Sequence, residues 1–397
     1  MVKLDIYHHA DRYKDWKEEI SKSGIDGLSN KNSEILTAYV FDMEQGVNIP
    51  RGAKKGARSY QRLNSLRYRI AFIMGMLEKR DAKDITKVDE KDLVCLFNDM
   101  RTGKIKTNVG EAYKSVADYV KIFKAFWHWH MTVNRKKGIQ IPDITEDLDT
   151  SREKPKFVYI TKDQLDSMLP YFSEDEQVVL LFIFDTLIRA PTELMNMKAK
   201  DIFVKEGEVY FNISQEISKT IGRTGNFLYC GEAVLKYIKR KGLESNDYIF
   251  SFSYPVFTDK LQKVAKQIFG DKLSHPRGEL YSKMTLYDFR HSGACHLRQI
   301  AQKSGKISLD ALRQRGGWTD FTMLNYYTEF LGLTGDIRKE DLLVEADKSR
   351  LEKEIDRLSQ GEKKIWNQLN QLAAMFRRKS YEASKLIKPK DKISHPR

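Results

Sequence analysis

Apolar residues recur three or four positions apart along most of this chain, and they alternate in twos in one stretch. Ser59 to Lys79 carries Leu63, Leu66, Ile70, Ile73, Met74 and Leu77 at helical spacing, and Glu111 to Val133 carries Tyr113, Val116, Val120, Phe123 and Trp127. Thr86 to Met100 fits a shorter amphipathic helix between them. Lys162 to Leu169, behind Thr161 as N-cap, and the apolar run Glu176 to Ile188 predict two more helices. The alternation falls at Asp201 to Ser214. There Ile202 and Val204 precede a Lys205-Glu206-Gly207 turn, and Val209, Phe211 and Ile213 follow it, which predicts a hairpin. Phe227 to Cys230 is the candidate third strand. The fold class that follows is mainly α with one small antiparallel β-sheet.

A chain of 397 residues spans two domains or three at about 100–200 residues each. Periodicity breaks between Gly138 and Lys156, where Pro142, Glu146, Asp147, Asp149 and Pro155 mark a linker. The expected organisation is a helical domain over 1–143, a linker over 144–157 and a second domain over 158–338. Beyond it, Val344, Leu351, Ile355, Leu358, Ile365, Leu369, Leu372 and Phe376 step by threes and fours, interrupted by Lys348 and Glu362. That spacing fits a coiled coil over 339–380, for oligomerisation, or a long helix docked on its own domain. Lys385, Lys388, Lys390, Lys392 and Arg397 make the end, 381–397, basic.

Lysine and arginine number 69 against 55 acidic residues, a net charge of +14. Such a surface rewards a polyanionic partner, because phosphates release counterions when lysines and arginines neutralise them. The loop RGAKKGAR holds Arg51, Lys54, Lys55 and Arg58, and Lys114, Lys121 and Lys124 lie off the stripe of the following helix. These are candidate phosphate contacts; a merely solvated connector is the other reading of the loop. No apolar run approaches the ~20 residues needed to span a bilayer, so no membrane partner is expected. Three well-separated cysteines (Cys95, Cys230, Cys295) suit reduced thiols in a cytoplasm, with the protein associated with the nucleoid. No cysteine or carboxylate completes a metal set with His128, His130 or His296.

Three segments of the second domain carry chemistry. DTLIRAPTELMNMKAKDI ends an apolar helix on Arg189, with Glu193 four residues on. MTLYDFRHSGACHL holds Tyr287, Arg290 and His291, and RQRGGWTDFTMLNYYTEF holds Trp318, Tyr326 and Tyr327. A buried arginine is costly unless something anionic pairs with it. Glu193 could satisfy Arg189 internally, but two such arginines followed by paired tyrosines point to an anionic ligand.

These residues resemble the tyrosine recombinases, the family of phage integrases and Cre-like and Xer-like enzymes; some archaeal-type integrases look similar at the second segment. The family carries an Arg in a T-x-x-R…E-L helix–turn, a lysine on a β-hairpin, an H-x-x-R-H box, and G-[HW] with the nucleophilic Tyr nine residues later. Here TLIR…EL, KTIGR, YDFRH and GGW-(x8)-Y stand in that order, with Tyr327 nine residues after Trp318. The resemblance covers Val158 to Phe330 closely and the N-terminal helices loosely. It implies a helical core-binding domain and a mixed α+β catalytic domain that clamp duplex DNA. Protomers that are monomers in solution would assemble as a tetramer on DNA.

The implied chemistry is attack of Tyr327 on a phosphodiester to form a 3′-phosphotyrosyl link, without metal, ATP or other cofactor. Arg189 and Arg290 would clamp the phosphate, because guanidiniums pair bidentately with its oxygens. Lys219 would protonate the leaving 5′-oxygen, with Arg223 as the competing cation and a possible DNA contact. Trp318 would donate one hydrogen bond, Glu193 would support Arg189, and His291 would support the arginine clamp or serve as base. Tyr287 departs from the family's first histidine: a phenol donates a hydrogen bond but is a poor base at neutral pH. Leu187 stands where glycine is common. Tyr326 remains the alternative nucleophile, and a type IB topoisomerase or a catalytically decayed DNA-binding protein on the same scaffold remain alternative functions.

Overall fold

The computed structural model describes residues 4–151, 154, 156–305, 307–333 and 345–386, with side chains of the last helix described over 350–379. Val344 of the expected seam, and Lys388, Lys390, Lys392 and Arg397 of the basic end, lie outside the described residues.

The first part of the chain builds a bundle from α1 (His9–Ser23), α2 (Asn30–Gln45), α3 (Tyr60–Glu78), α4 (Glu90–Arg101) and α5 (Val116–Lys136). The predicted apolar stripes become its core: Leu63, Ile70, Ile73, Leu96, Phe123, Phe126 and Trp127 are buried together. Local chemistry sets the boundaries. Ser29 and Ser59 cap α2 and α3, and Asp89 forms a reciprocal cap with Asp92 at α4. The last pair starts α4 at Glu90, not at Thr86 as periodicity alone predicts. Likewise α5 begins at Val116 instead of Glu111, because Glu111 accepts a hydrogen bond from the Thr107 N–H (2.8 Å) in a small turn closed by a Lys106–Ala112 bridge.

The second core begins at Val158. It contains α6 (Lys162–Met168) and α7 (Glu174–Thr186), then β1 (Ile202–Lys205), β2 (Glu208–Ile213) and β3 (Arg223–Asn226). After the sheet come α8 (Gly231–Lys241), α9 (Tyr254–Phe269), α10 (Leu286–Ser304), α11 (Leu309–Gly316) and α12 (Thr322–Phe330). The sheet is antiparallel in the order β1-β2-β3, with Ile202 opposite Phe211 and Ile213 opposite Arg223. Glu206 and Gly207 both take positive φ (53° and 83°), as a two-residue hairpin turn demands.

The third strand lies four residues before the expected one. The backbone N–H groups of Leu228, Tyr229 and Cys230 donate to the buried Asp185 carboxylate at the end of α7, so that stretch is committed to a turn and not to a ladder. α7 runs against α10 at very close range. A Cβ on Gly293 would sit 2.1 Å from the Phe184 carbonyl, so only glycine fits.

A smaller cluster caps this core, formed by Phe157, Leu187, Ala294, Leu297, Leu312, Trp318, Leu324, Tyr327 and Phe330. The final helix, α13 (Glu345–Leu386), is 42 residues long. No described helix is long and apolar enough to cross a membrane.

Candidate active site

The turn after α7 organises the site. Leu187 ends the helix in the left-handed region (φ 54°) and is fully buried. A side chain there costs roughly 1 kcal/mol relative to glycine. The twist aims the Leu187 carbonyl inward, where it accepts from Nη2 of Arg223 (3.2 Å) and from Nη1 of Arg290. The chain then delivers Arg189 and Glu193 to the same place.

Arg189 binds Glu193 twice, through its backbone N–H (3.0 Å) and Nη1 (2.6 Å), while Nη2 donates to Thr220 Oγ1 and to the Gly317 carbonyl, both at 3.1 Å. Glu193 lies between two guanidiniums, with Arg223 Nη2 2.8 Å from its other oxygen. Burial alone would push its carboxyl up; Arg223 and Arg189 outweigh that and hold it at about 2. Glu193 is therefore ionised at neutral pH.

Arg290 enters from α10. Its Nη2 donates to the Gly316 carbonyl (2.7 Å), and its guanidinium lies over the Trp318 ring at 5.3 Å. Burial pushes its pKa down to about 10, which leaves it cationic near neutrality. Arg189 and Arg290 thus grip adjacent carbonyls of the Gly316-Gly317 pair. Both glycines are required: a Cβ on Gly316 would enter the Trp318 ring at 2.3 Å, and one on Gly317 would meet Arg223 at 2.8 Å.

Tyr327 projects from α12 into the same space and is fully buried. Its hydroxyl lies 2.9 Å from His291 Nδ1, and its ring contacts those of Trp318, His291 and Phe157. Burial holds the phenol well above its usual pKa, with Arg290 opposing. Burial and, secondarily, Arg290 push the His291 imidazole down to about 3, so in this enclosure the ring is neutral at physiological pH and resists protonation. Tyr287 packs edge-on against His291 at 5.0 Å. Tyr326 faces Phe157 and Phe330 and is half-buried.

Lys219 is exposed on the loop between β2 and β3. Sequence reasoning missed how that loop is fixed. On one side of Lys219, Ser218 Oγ donates to Glu193 (3.1 Å); on the other, Thr220 Oγ1 donates to the Gly317 carbonyl (2.6 Å) while accepting from Arg189. The flanking hydroxyls in S-K-T were the available signal. Arg223, read from sequence as a DNA contact or a rival to Lys219, is buried beneath the site in its ion pair with Glu193, with its side chain 4% exposed. It is part of the arginine–glutamate framework and not of the surface.

The candidate DNA contacts separate into groups. Arg51, Arg58, Lys121 and Lys124 line one concavity, together with Arg62 and His128. Their loop is built: Lys55 Nζ donates to the Ile49 and Pro50 carbonyls, and the Arg58 N–H donates to Met43. Lys54 and Lys55 are both exposed, and Lys55 is spent on the loop itself. Lys114 lies apart, 3.8 Å from Glu111 in a depression with Arg101 and Asp149.

This architecture is the tyrosine recombinase fold. The chain is similar to a lambda integrase dimer bound to a COC′ core site, with 17% identity over 82% of this chain and 83% of that one and a TM-score of 0.52. It is also similar to a lambda integrase tetramer bound to a Holliday junction (12% identity, 79% and 82% covered, TM-score 0.52). The Tn1549 transposon integrase in complex with circular intermediate DNA matches over 80% of this chain and 99% of that one, at 15% identity and a TM-score of 0.50. No protein-family model and no curated protein sequence matches the chain.

Proposed function

We propose that this protein is a site-specific DNA recombinase of the integrase type, a strand transferase that works through a 3′-phosphotyrosine intermediate. The observation that carries the reading is the convergence of Arg189 and Arg290 on neighbouring carbonyls, with the Tyr327 hydroxyl in the same enclosure. Tyr327 Oη attacks the scissile phosphorus and its proton passes to His291, whose basicity is restored once the opened enclosure admits water and the phosphate anion. The bond from phosphorus to the 5′-oxygen breaks, and Lys219 supplies the proton that oxygen needs. Arg189 and Arg290 offset the charge that grows on the non-bridging oxygens, and Tyr287 and Trp318 add hydrogen bonds. A 5′-hydroxyl then attacks the phosphotyrosine, which has conserved the energy of the broken bond, so neither ATP nor a metal is needed. Tyr327 must leave its enclosure to reach DNA, so engagement of the duplex is coupled to movement of α12.

The partner is double-stranded DNA. The 1–143 helical part, with its Arg51–Arg58–Lys121–Lys124 concavity, holds one side of the duplex while 158–338 cleaves it, and several protomers assemble on the paired sites.

Incubation with a nicked suicide substrate tests this. A covalent protein–DNA adduct should form with the wild type and with Tyr326→Phe, survive EDTA, and vanish in Tyr327→Phe. Absence of any adduct makes the protein a DNA-binding scaffold. Adducts and relaxed plasmid without joint molecules from two duplexes make it a nicking-closing enzyme.

A further inference from the structure

The seam of α13 lies uncovered. Leu351, Ile355, Leu358, Ile365, Leu369, Leu372 and Phe376 are each between 47% and 70% exposed, and none belongs to a hydrophobic core. Among the described residues, nothing of its own chain covers this seam. The steps of three and four fix the heptad: Ile355, Glu362, Leu369 and Phe376 take position a, and Leu351, Leu358, Ile365 and Leu372 take position d. A period of 3.5 sustained over nearly four heptads calls for another helix wound along it, since a flat surface would follow 3.6. At 1.5 Å per residue α13 is about 63 Å long, ample for such a coil.

We propose that the occupant is α13 of a second copy of this chain, running antiparallel. The seam is its own complement in that direction: Leu351 of one copy meets Phe376 of the other, Ile355 meets Leu372, Leu358 meets Leu369, and Glu362 meets Ile365. A parallel in-register pair would instead set Glu362 against Glu362 in the middle of the seam, where like charges repel and are poorly hydrated. In the antiparallel pair each carboxylate faces an isoleucine and reaches the edge of the coil by its own length. Charge along the helix favours the same direction. Residues 350–360 hold three bases and three acids, a net charge of zero, whereas 361–379 hold five bases against Glu362, a net charge of +4. Parallel pairing aligns the two basic halves; antiparallel pairing sets each beside a neutral one. The dimer forms without DNA, in place of the solution monomer that the family resemblance implies, and does not depend on the recombinase reading.

The test uses the full chain with Cys95→Ser, because Cys95 is the exposed cysteine and Cys230 and Cys295 are buried. Sedimentation without DNA should give the mass of two chains, and Leu358→Asp, at a position already 63% exposed, should give one chain with unchanged circular dichroism over the folded core. Leu351→Cys and Phe376→Cys should each fail to cross-link alone under mild oxidation, since about 38 Å of helix separates the positions, and should yield a disulfide dimer when mixed. A wild-type mass of one chain or of more than two, or a dimer from Leu351→Cys alone, would overturn the proposal.

Discussion

Thr220 shows how one hydroxyl can matter to the proposed reaction without touching the substrate. It links Arg189 to the Gly317 carbonyl and sits beside Lys219, so it positions the lysine loop against the clamp. A hydrogen bond to a charged group is worth about 1.5–3 kcal/mol. Thr220→Val should therefore slow single-turnover cleavage by roughly 10- to 100-fold, with DNA affinity nearly unchanged. A substrate with sulfur in place of the leaving 5′-oxygen needs no proton from Lys219, so it should restore Thr220→Val and Lys219→Ala alike. A defect that persists with that substrate would place the effect on the arginines. His291 offers a second residue-scale prediction. Its pKa is about 3 in the folded protein against 6.5 when unfolded, so only the unfolded chain gains a proton as pH falls through 6.5. Stability present above that pH is lost progressively down to about 3, reaching about 2 kcal/mol at pH 5. Asp288, raised to about 6 by burial, has the opposite sign, and Glu193 acts only below its ordinary 4.5. Urea denaturation of wild type and His291→Gln at pH 7 and pH 5 isolates the histidine; equal pH slopes would refute the assignment.

Among the elements, the contact between α7 and α10 sets the site. Gly293 brings the helices together beside Leu187, whose carbonyl holds both Arg223 and Arg290. Gly293→Ala would force the helices apart and should cost about 1–3 kcal/mol, as overpacking does. A lowered Tm with reduced cleavage is expected. A variant as stable and active as wild type would show that the packing is looser than described. The shift of β3 belongs to this scale as well. Strand propensity favoured Phe227 to Cys230, but the Asp185 carboxylate took their N–H groups, and no local pattern reveals a partner about 43 residues away.

Over the whole molecule, charge and distance would govern the proposed DNA binding. Arg51, Arg58, Lys121 and Lys124 converge from a loop and from α5, whereas Lys114 does not join them. Arg58→Gln with Lys121→Gln should weaken binding uniformly across DNA sequences and lower the slope of log K against log salt by about 2. Lys114→Gln should change that slope little. A salt titration reporting the reverse order would move the interface to the other depression.

Much of this was legible from residue spacing alone. The helical stripes and the hairpin with its Glu206-Gly207 turn follow from periodicity and local chemistry, which act over a few residues, while the four motifs in order stand out by their resemblance to the tyrosine recombinases. Boundaries were less legible, because Asp89 and Glu111 act through specific hydrogen bonds that override the periodic signal. The arrangement of the candidate site depends on the fold. Burial of Arg223 beside Glu193, exposure of Lys219, the Gly316-Gly317 carbonyls as the shared anchor and the enclosure of Tyr327 by His291 all join segments far apart in the chain. The heptad at the C-terminus shows the same division. Its spacing was written in the sequence, but only the packing of the rest of the chain shows that nothing within the described core covers it. Local pattern fixes which face of an element is apolar; which face of another element it meets depends on contacts that close long loops, and those carry no short-range trace.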